Sequence, residues 1–259
     1  MCGIAGFISA KEQNQGTIHR TLQGIESRGG HAWGWANEDQ YHKAIGKVPT
    51  ITKDIELPKK SGQIMILHSR WATHGSADDI ACAHPFVSQR YAVVHNGVIQ
   101  NDHPGQKTKC DSEAILKLMI DHNDPKKVAE ELNGDFRIAI IDKQLHKLII
   151  INDRCPVWFG KRFQSELWFA SESKHLPADC WMRPGKENTI MEFWIEKGEI
   201  RNTIVEFQKK TKIYNYNFSD IDSYYGSTET THTPRKGAFN IEVCKECEKV
   251  TCYQCPLLG

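Results

Sequence analysis

The sequence predicts an α+β domain, on two observations. Its apolar segments are short runs of strand length, either continuous or alternating, and only three stretches between them carry a helical period. Many strands broken by few helices argue against the regular alternation of a doubly wound sheet.

Taken in order, a strand is expected at 3–9, a helix at 14–27, and strands at 32–37, 42–47, 63–68 and 91–99. Helices follow near 112–121 and 125–132. Phe136-Arg137-Ile138-Ala139-Ile140-Ile141 and Lys147-Leu148-Ile149-Ile150-Ile151 mark strands at 135–142 and 147–152, with others at 157–162, 166–170, 189–196 and 199–205. These elements define a domain over 2–206. Residues 207–240 are polar with little periodicity and read as a linker or extended arm. A short four-cysteine knuckle is expected at 241–259.

Composition bounds the function. A chain of 259 residues holds one large domain with a small appendage, and 39% hydrophobic with 25% charged residues is ordinary for a globular protein. A net charge of +1 gives no global attraction to nucleic acid, so such a partner is expected only through another protein or the tail. No apolar run approaches the ~20 residues that span a bilayer, and the N-terminus lacks the charged region of a signal peptide, so no membrane is expected. Nine cysteines, an odd number, point to reduced thiols and a cytoplasmic location.

The tail spacing Cys244-x2-Cys247-x4-Cys252-x2-Cys255 offers four thiolates and is a candidate structural zinc site. An iron–sulfur cluster and free thiols are the alternatives. By contrast His68, His74, His84, His95 and Cys82 match no compact zinc spacing.

Most informative is the start, Met1-Cys2-Gly3-Ile4-Ala5-Gly6-Phe7. Removal of Met1 would leave Cys2 with a thiol and a free α-amine, a nucleophile carrying its own base. The alternative is a small buried hydrophobe on a first strand. Further along stand His68-Ser69-Arg70-Trp71-Ala72-Thr73-His74-Gly75, then His95-Asn96-Gly97-Val98-Ile99-Gln100-Asn101 and Cys110-Asp111-Ser112-Glu113. Together with the N-terminal motif, these closely resemble the class II glutamine amidotransferases. The glutaminase domain of glucosamine-6-phosphate synthase is the nearest likeness, over about 2–175.

The resemblance implies the four-layer αββα sandwich of the N-terminal-nucleophile hydrolases, and glutamine hydrolysis through a Cys2 γ-glutamyl thioester with no cofactor. Residue chemistry agrees. Asn96 and Gly97 suit an oxyanion hole, although Asn-Gly is also a common hairpin turn. Arg70 fits the α-carboxylate of glutamine and Asp111 its α-ammonium, with a helix cap as the alternative for Asp111. The matching family positions add Trp71, Thr73 and His74 to the pocket. Arg28 and Gly34, in Ser27-Arg28-Gly29-Gly30-His31-Ala32-Trp33-Gly34, match a loop that supports the nucleophile. Here Gly30-His31 replaces a pair whose second member is usually aspartate. Asn152-Asp153-Arg154-Cys155-Pro156-Val157-Trp158 lacks the glycine of a related family segment.

Class II glutaminases normally feed ammonia to a fused synthase. The remaining chain is too short for one, so a stand-alone glutaminase serving a partner synthase or synthetase is expected. The alternatives are a non-catalytic glutamine sensor and a hydrolase of another γ-glutamyl amide.

Overall fold

The computed structural model describes residues 2–51, 55–73, 75–154 and 156–209. The expectations for 210–259, including the arm beyond residue 209 and the zinc site at Cys244, Cys247, Cys252 and Cys255, lie outside the described residues, as does the one for His74; Phe207, expected in the arm, is buried in the core. Among the described residues thirteen strands and three α-helices follow in the order β1 (Gly3–Ser9), α1 (Gln15–Glu26), β2 (Ala32–Asn37), β3 (Tyr41–Ile45), β4 (Ile64–Arg70), β5 (Phe86–Val87) and β6 (Tyr91–Ile99). Then come α2 (Ser112–His122), α3 (Pro125–Glu131), β7 (Gly134–Asp142), β8 (Lys147–Asn152), β9 (Trp158–Arg162), β10 (Glu166–Ala170), β11 (Trp181–Pro184), β12 (Thr189–Glu196) and β13 (Glu199–Glu206).

The strands form two antiparallel sheets. One has seven strands in the order β11-β9-β10-β1-β4-β2-β3, the other six in the order β13-β12-β8-β7-β6-β5. Strand β1 lies inside the first sheet, with Ile4 opposite His68 of β4 and Ala5 opposite Ala170 of β10. Because successive side chains point to opposite faces, each central strand feeds two cores. Ala5 and Phe7 meet Ile18, Leu22 and Ile25 of α1, while Ile4 and Ile8 meet Val94, Ala139 and Ile150 of the other sheet. Ile138 and Ile140 face Ile115 and Met119 of α2. The two sheets therefore pack face to face, with the helices outside them. Burial on both faces explains why β1, β7 and β8 read as near-continuous apolar runs.

Local signals set the ends. Asn14 caps α1 by accepting from the Gly16 N–H, and Asp124 caps α3, whose first residue is Pro125. Asn123, in the left-handed region at φ 51°, ends α2. Among the described residues no helix is long and apolar enough to cross a membrane.

Three imidazoles are buried at the end of the sandwich that holds Cys2. His68 Nε2 donates to the His95 carbonyl at 3.0 Å, the His84 ring stacks on His68 at 3.9 Å, and His95 Nδ1 meets Ser112 Oγ at 2.8 Å. Among the described residues His68 Nδ1 and both nitrogens of His84 lack hydrogen-bond partners. Burial away from water lowers His68 to about 3 and takes His84 well below the ordinary imidazole value. The folded values lie below the unfolded ones, so between pH ~6.5 and ~3 the unfolded chain binds protons that the native chain refuses. Stability therefore drops as the pH is lowered, by about 1.4 kcal/mol per unit for His68 across this window, and His84 acts in the same direction. Urea unfolding at pH 7.5, 6 and 5 tests this. A flat profile would mean that these rings gain protons freely in the native state.

Candidate active site

Cys2 directly precedes β1, at the end of the sheet sandwich. Half-buried, it lines a narrow cleft together with Arg70, Trp71, Thr73, Gly97 and Asp111. The Trp71 N–H donates to the sulfur at 3.3 Å, and the thiol donates to the Trp71 carbonyl at 3.4 Å. Burial raises the Cys2 thiol above its ordinary value, with Asp111 pushing the same way; the Trp71 N–H and Arg70 pull against it.

Below Cys2, the Arg28 Nε donates to the Cys2 carbonyl at 2.9 Å, and the same guanidinium pairs with Glu172. Glu172 also meets Lys174 at 2.7 Å. These partners, Lys174 first, draw its carboxyl down to about 2. The Arg28 side chain thus anchors the Cys2 backbone. Gly34 lies within β2, where a Cβ would stand 2.2 Å from the His84 carbonyl, so its small size admits the chain around His84.

Arg70 closes β4 and is 2% exposed, with Nη1 donating to the Ser76 carbonyl at 2.9 Å. Asn96 and Gly97 fall inside β6, opposite Arg137 and Phe136 of β7, so the hairpin-turn reading of Asn-Gly does not hold. A continuous strand carries these residues to the cleft. Asn96 Nδ2 donates to Ser171 Oγ at 3.3 Å, and Ser171 Oγ in turn accepts from the Ile4 N–H at 2.9 Å. One hydroxyl thereby ties Asn96 to the strand that follows Cys2.

The helix-cap reading of Asp111 holds. The carboxylate accepts from the Ser112 N–H at 2.9 Å at the start of α2 and from the Ile99 N–H at 3.0 Å at the end of β6, and it lines the cleft.

Cys2, Arg70, Trp71, Thr73, Gly97 and Asp111 are therefore brought together, with Asn96 and Arg28 directly behind them. Sequence reasoning gave no site role to Ser171, Glu172, His31 or Cys110. Ser171 and Glu172 directly follow β10, while Cys110 lines the cleft beside Asp111. The His31 ring stacks on Trp71 at 4.5 Å between centroids, and its Nδ1 accepts from the Ala72 N–H at 3.1 Å. Among the described residues no group of His, Cys, Asp or Glu could hold a metal ion.

Residues 68–178 match the glutamine amidotransferase domain family. Over 203 residues the chain is 29% identical to glutamine–fructose-6-phosphate aminotransferase (isomerizing) of Campylobacter jejuni, covering 70% of this chain and 34% of that protein. The chain thus spans about a third of the length of this curated relative. Glutamine phosphoribosylpyrophosphate amidotransferase from B. subtilis shares the fold, with a TM-score of 0.63 at 19% identity over 78% of this chain and 49% of that one. A glutamine aminotransferase class-II domain protein from Silicibacter pomeroyi does so at a TM-score of 0.51 and 12% identity, covering 80% of this chain and 100% of its own. Residues 68–178 thus carry a glutamine amidotransferase domain, within a chain whose fold is similar to that of a class-II domain protein.

Proposed function

We propose that residues 2–206, folded as the four-layer sandwich of the N-terminal-nucleophile hydrolases, hydrolyse glutamine to glutamate and ammonia. The observation that carries this reading is the convergence of the Cys2 sulfur with Arg70, Gly97 and Asp111 on one narrow cleft. A cation and a carboxylate face the two charged groups of an amino acid, and the thiol lies where its side-chain amide would reach.

The buried thiol is neutral at rest, so attack requires a base. The α-amine of Cys2, freed when Met1 is removed, takes the proton as sulfur bonds to the amide carbon. The second N–H of the Asn96 amide, beyond the one held by Ser171, and the Gly97 backbone N–H receive the oxyanion. Collapse breaks the C–N bond, the amine returns the proton to the leaving nitrogen, and ammonia departs from a γ-glutamyl thioester. Water then releases glutamate and restores the thiol. Arg70 holds the α-carboxylate and Asp111 the α-ammonium, while Trp71 and Thr73 complete the pocket.

In this reading the unit works in the cytoplasm, and its ammonia goes to an acceptor on a partner synthase or synthetase. The experiment is intact mass before and after incubation with 6-diazo-5-oxo-norleucine, beside an assay of glutamate release. Loss of Met1, a single adduct on the N-terminal peptide and glutamate release are expected. A protein that has lost Met1 yet forms no adduct and no glutamate overturns the reading.

A further inference from the structure

We propose that His31 is a positioning residue that aims the two peptide planes flanking Trp71 at the Cys2 sulfur. This deepens the function proposed above and rests on it.

β4 ends at Arg70, paired with Ala32 of β2, and the ladder goes no further. The next residue carries both groups that touch the sulfur, and Trp71 is 49% exposed. A segment with no strand partner and an exposed side chain has many conformations open to it. His31 removes that freedom by gripping three consecutive residues. Its N–H donates to the Arg70 carbonyl at 3.0 Å, its ring stacks on the Trp71 indole, and its Nδ1 accepts from the Ala72 N–H. Its own carbonyl accepts from the Gly46 N–H at 2.8 Å, which fixes His31 to the end of β3.

Peptide planarity turns these contacts into a positioning device. The Arg70 carbonyl and the Trp71 N–H belong to one plane: His31 holds one end and the Cys2 sulfur receives the other. The Trp71 carbonyl and the Ala72 N–H belong to the next plane, with the sulfur at the first end and His31 Nδ1 at the second. An acceptor at the Nδ1 position is what the second plane requires. Aspartate, usual at this place in the family, also offers an acceptor but has no ring for the indole.

Two substitutions separate acceptor from ring. Phe keeps a ring against Trp71 and removes the acceptor; Asn places Oδ1 near the Nδ1 position and removes the ring. With H31F, kcat for glutamine is expected to fall about tenfold or more with KM within about twofold, since misaligned reacting groups cost rate more than binding. Alkylation of Cys2 by iodoacetamide at pH 7.5, followed on the N-terminal peptide, should slow at least about threefold as the sulfur loses the N–H that favours thiolate. H31N should restore both to within about twofold of the parent, with thermal midpoints alike in all three proteins. If H31F lowers the midpoint, H31A provides the acceptor-free comparison. H31F behaving as the parent, or H31N as impaired as H31F, overturns the proposal. The alkylation arm needs no glutamine, so it decides the role of His31 even if the parent protein hydrolyses none.

Discussion

Replacing Cys2 by alanine should remove nearly all glutamine hydrolysis while leaving the fold intact. The side chain is half-buried at the mouth of the cleft, and the neighbouring backbone is held by the Arg28 guanidinium and the Ser171 hydroxyl rather than by sulfur. Little packing is lost, so thermal stability should stay within about 1 kcal/mol of the parent. Without sulfur no thioester forms, and what remains is an oriented substrate with oxyanion donors. Removal of a nucleophile typically costs a factor of about 10³ or more. Glutamate release and adduct formation measured on the alanine variant test this together. Hydrolysis retained within about tenfold of the parent would show that Cys2 is not the nucleophile.

Gly97→Ala should damage fold and activity together. Gly97 has φ 145°, and a Cβ on it would stand 2.0 Å from the Asp135 carbonyl of β7. The neighbour is backbone, so no side chain can swing away, and the conformation itself is unfavourable for alanine. Separating β6 from β7 at this point, or reversing the local φ, should cost about 3 kcal/mol or more. The same shift moves the Asn96 amide and the Gly97 N–H relative to the sulfur, and kcat should fall about a hundredfold. Urea unfolding and glutamate release measure the two effects. Stability and rate near those of the parent would mean that β6 can relax here, and Gly97 would lose its structural explanation.

Strands β1, β6, β7 and β8, all located by sequence reading, are largely buried on two faces and therefore carry dense apolar runs. Both helices after β6 were legible from their period and from Pro125. Strand β11 was not, because Trp181–Pro184 is a short, exposed edge that ends in proline and carries no alternation worth reading. Phe86–Val87 is too short for any periodicity. Cys2, Arg70, Asn96, Gly97 and Asp111 could be picked out because each carries distinctive chemistry in a motif. The turn alternative for Asn96-Gly97 failed for a reason invisible in one dimension: this glycine serves the carbonyl of the next strand, 38 positions on. Ser171 escaped notice for the same reason. A lone serine has no local signal, and its partners Ile4 and Asn96 lie 167 and 75 residues away. His31 read as the loss of an acid, yet its value lies in an acceptor and a ring directed at a segment far along the chain.

The placement of β1 between β4 and β10 also bears on the order of assembly during synthesis. The proposed nucleophile is synthesised before every strand of its sheet. Its strand, however, has one edge open until residues 166–170 arrive from the far side of the domain. Such long-range pairing is the slow part of folding. The thiol enters its working setting only when Ala170 and Ser171 are in place, so a nascent chain that is still incomplete carries the reactive group without the machinery to use it.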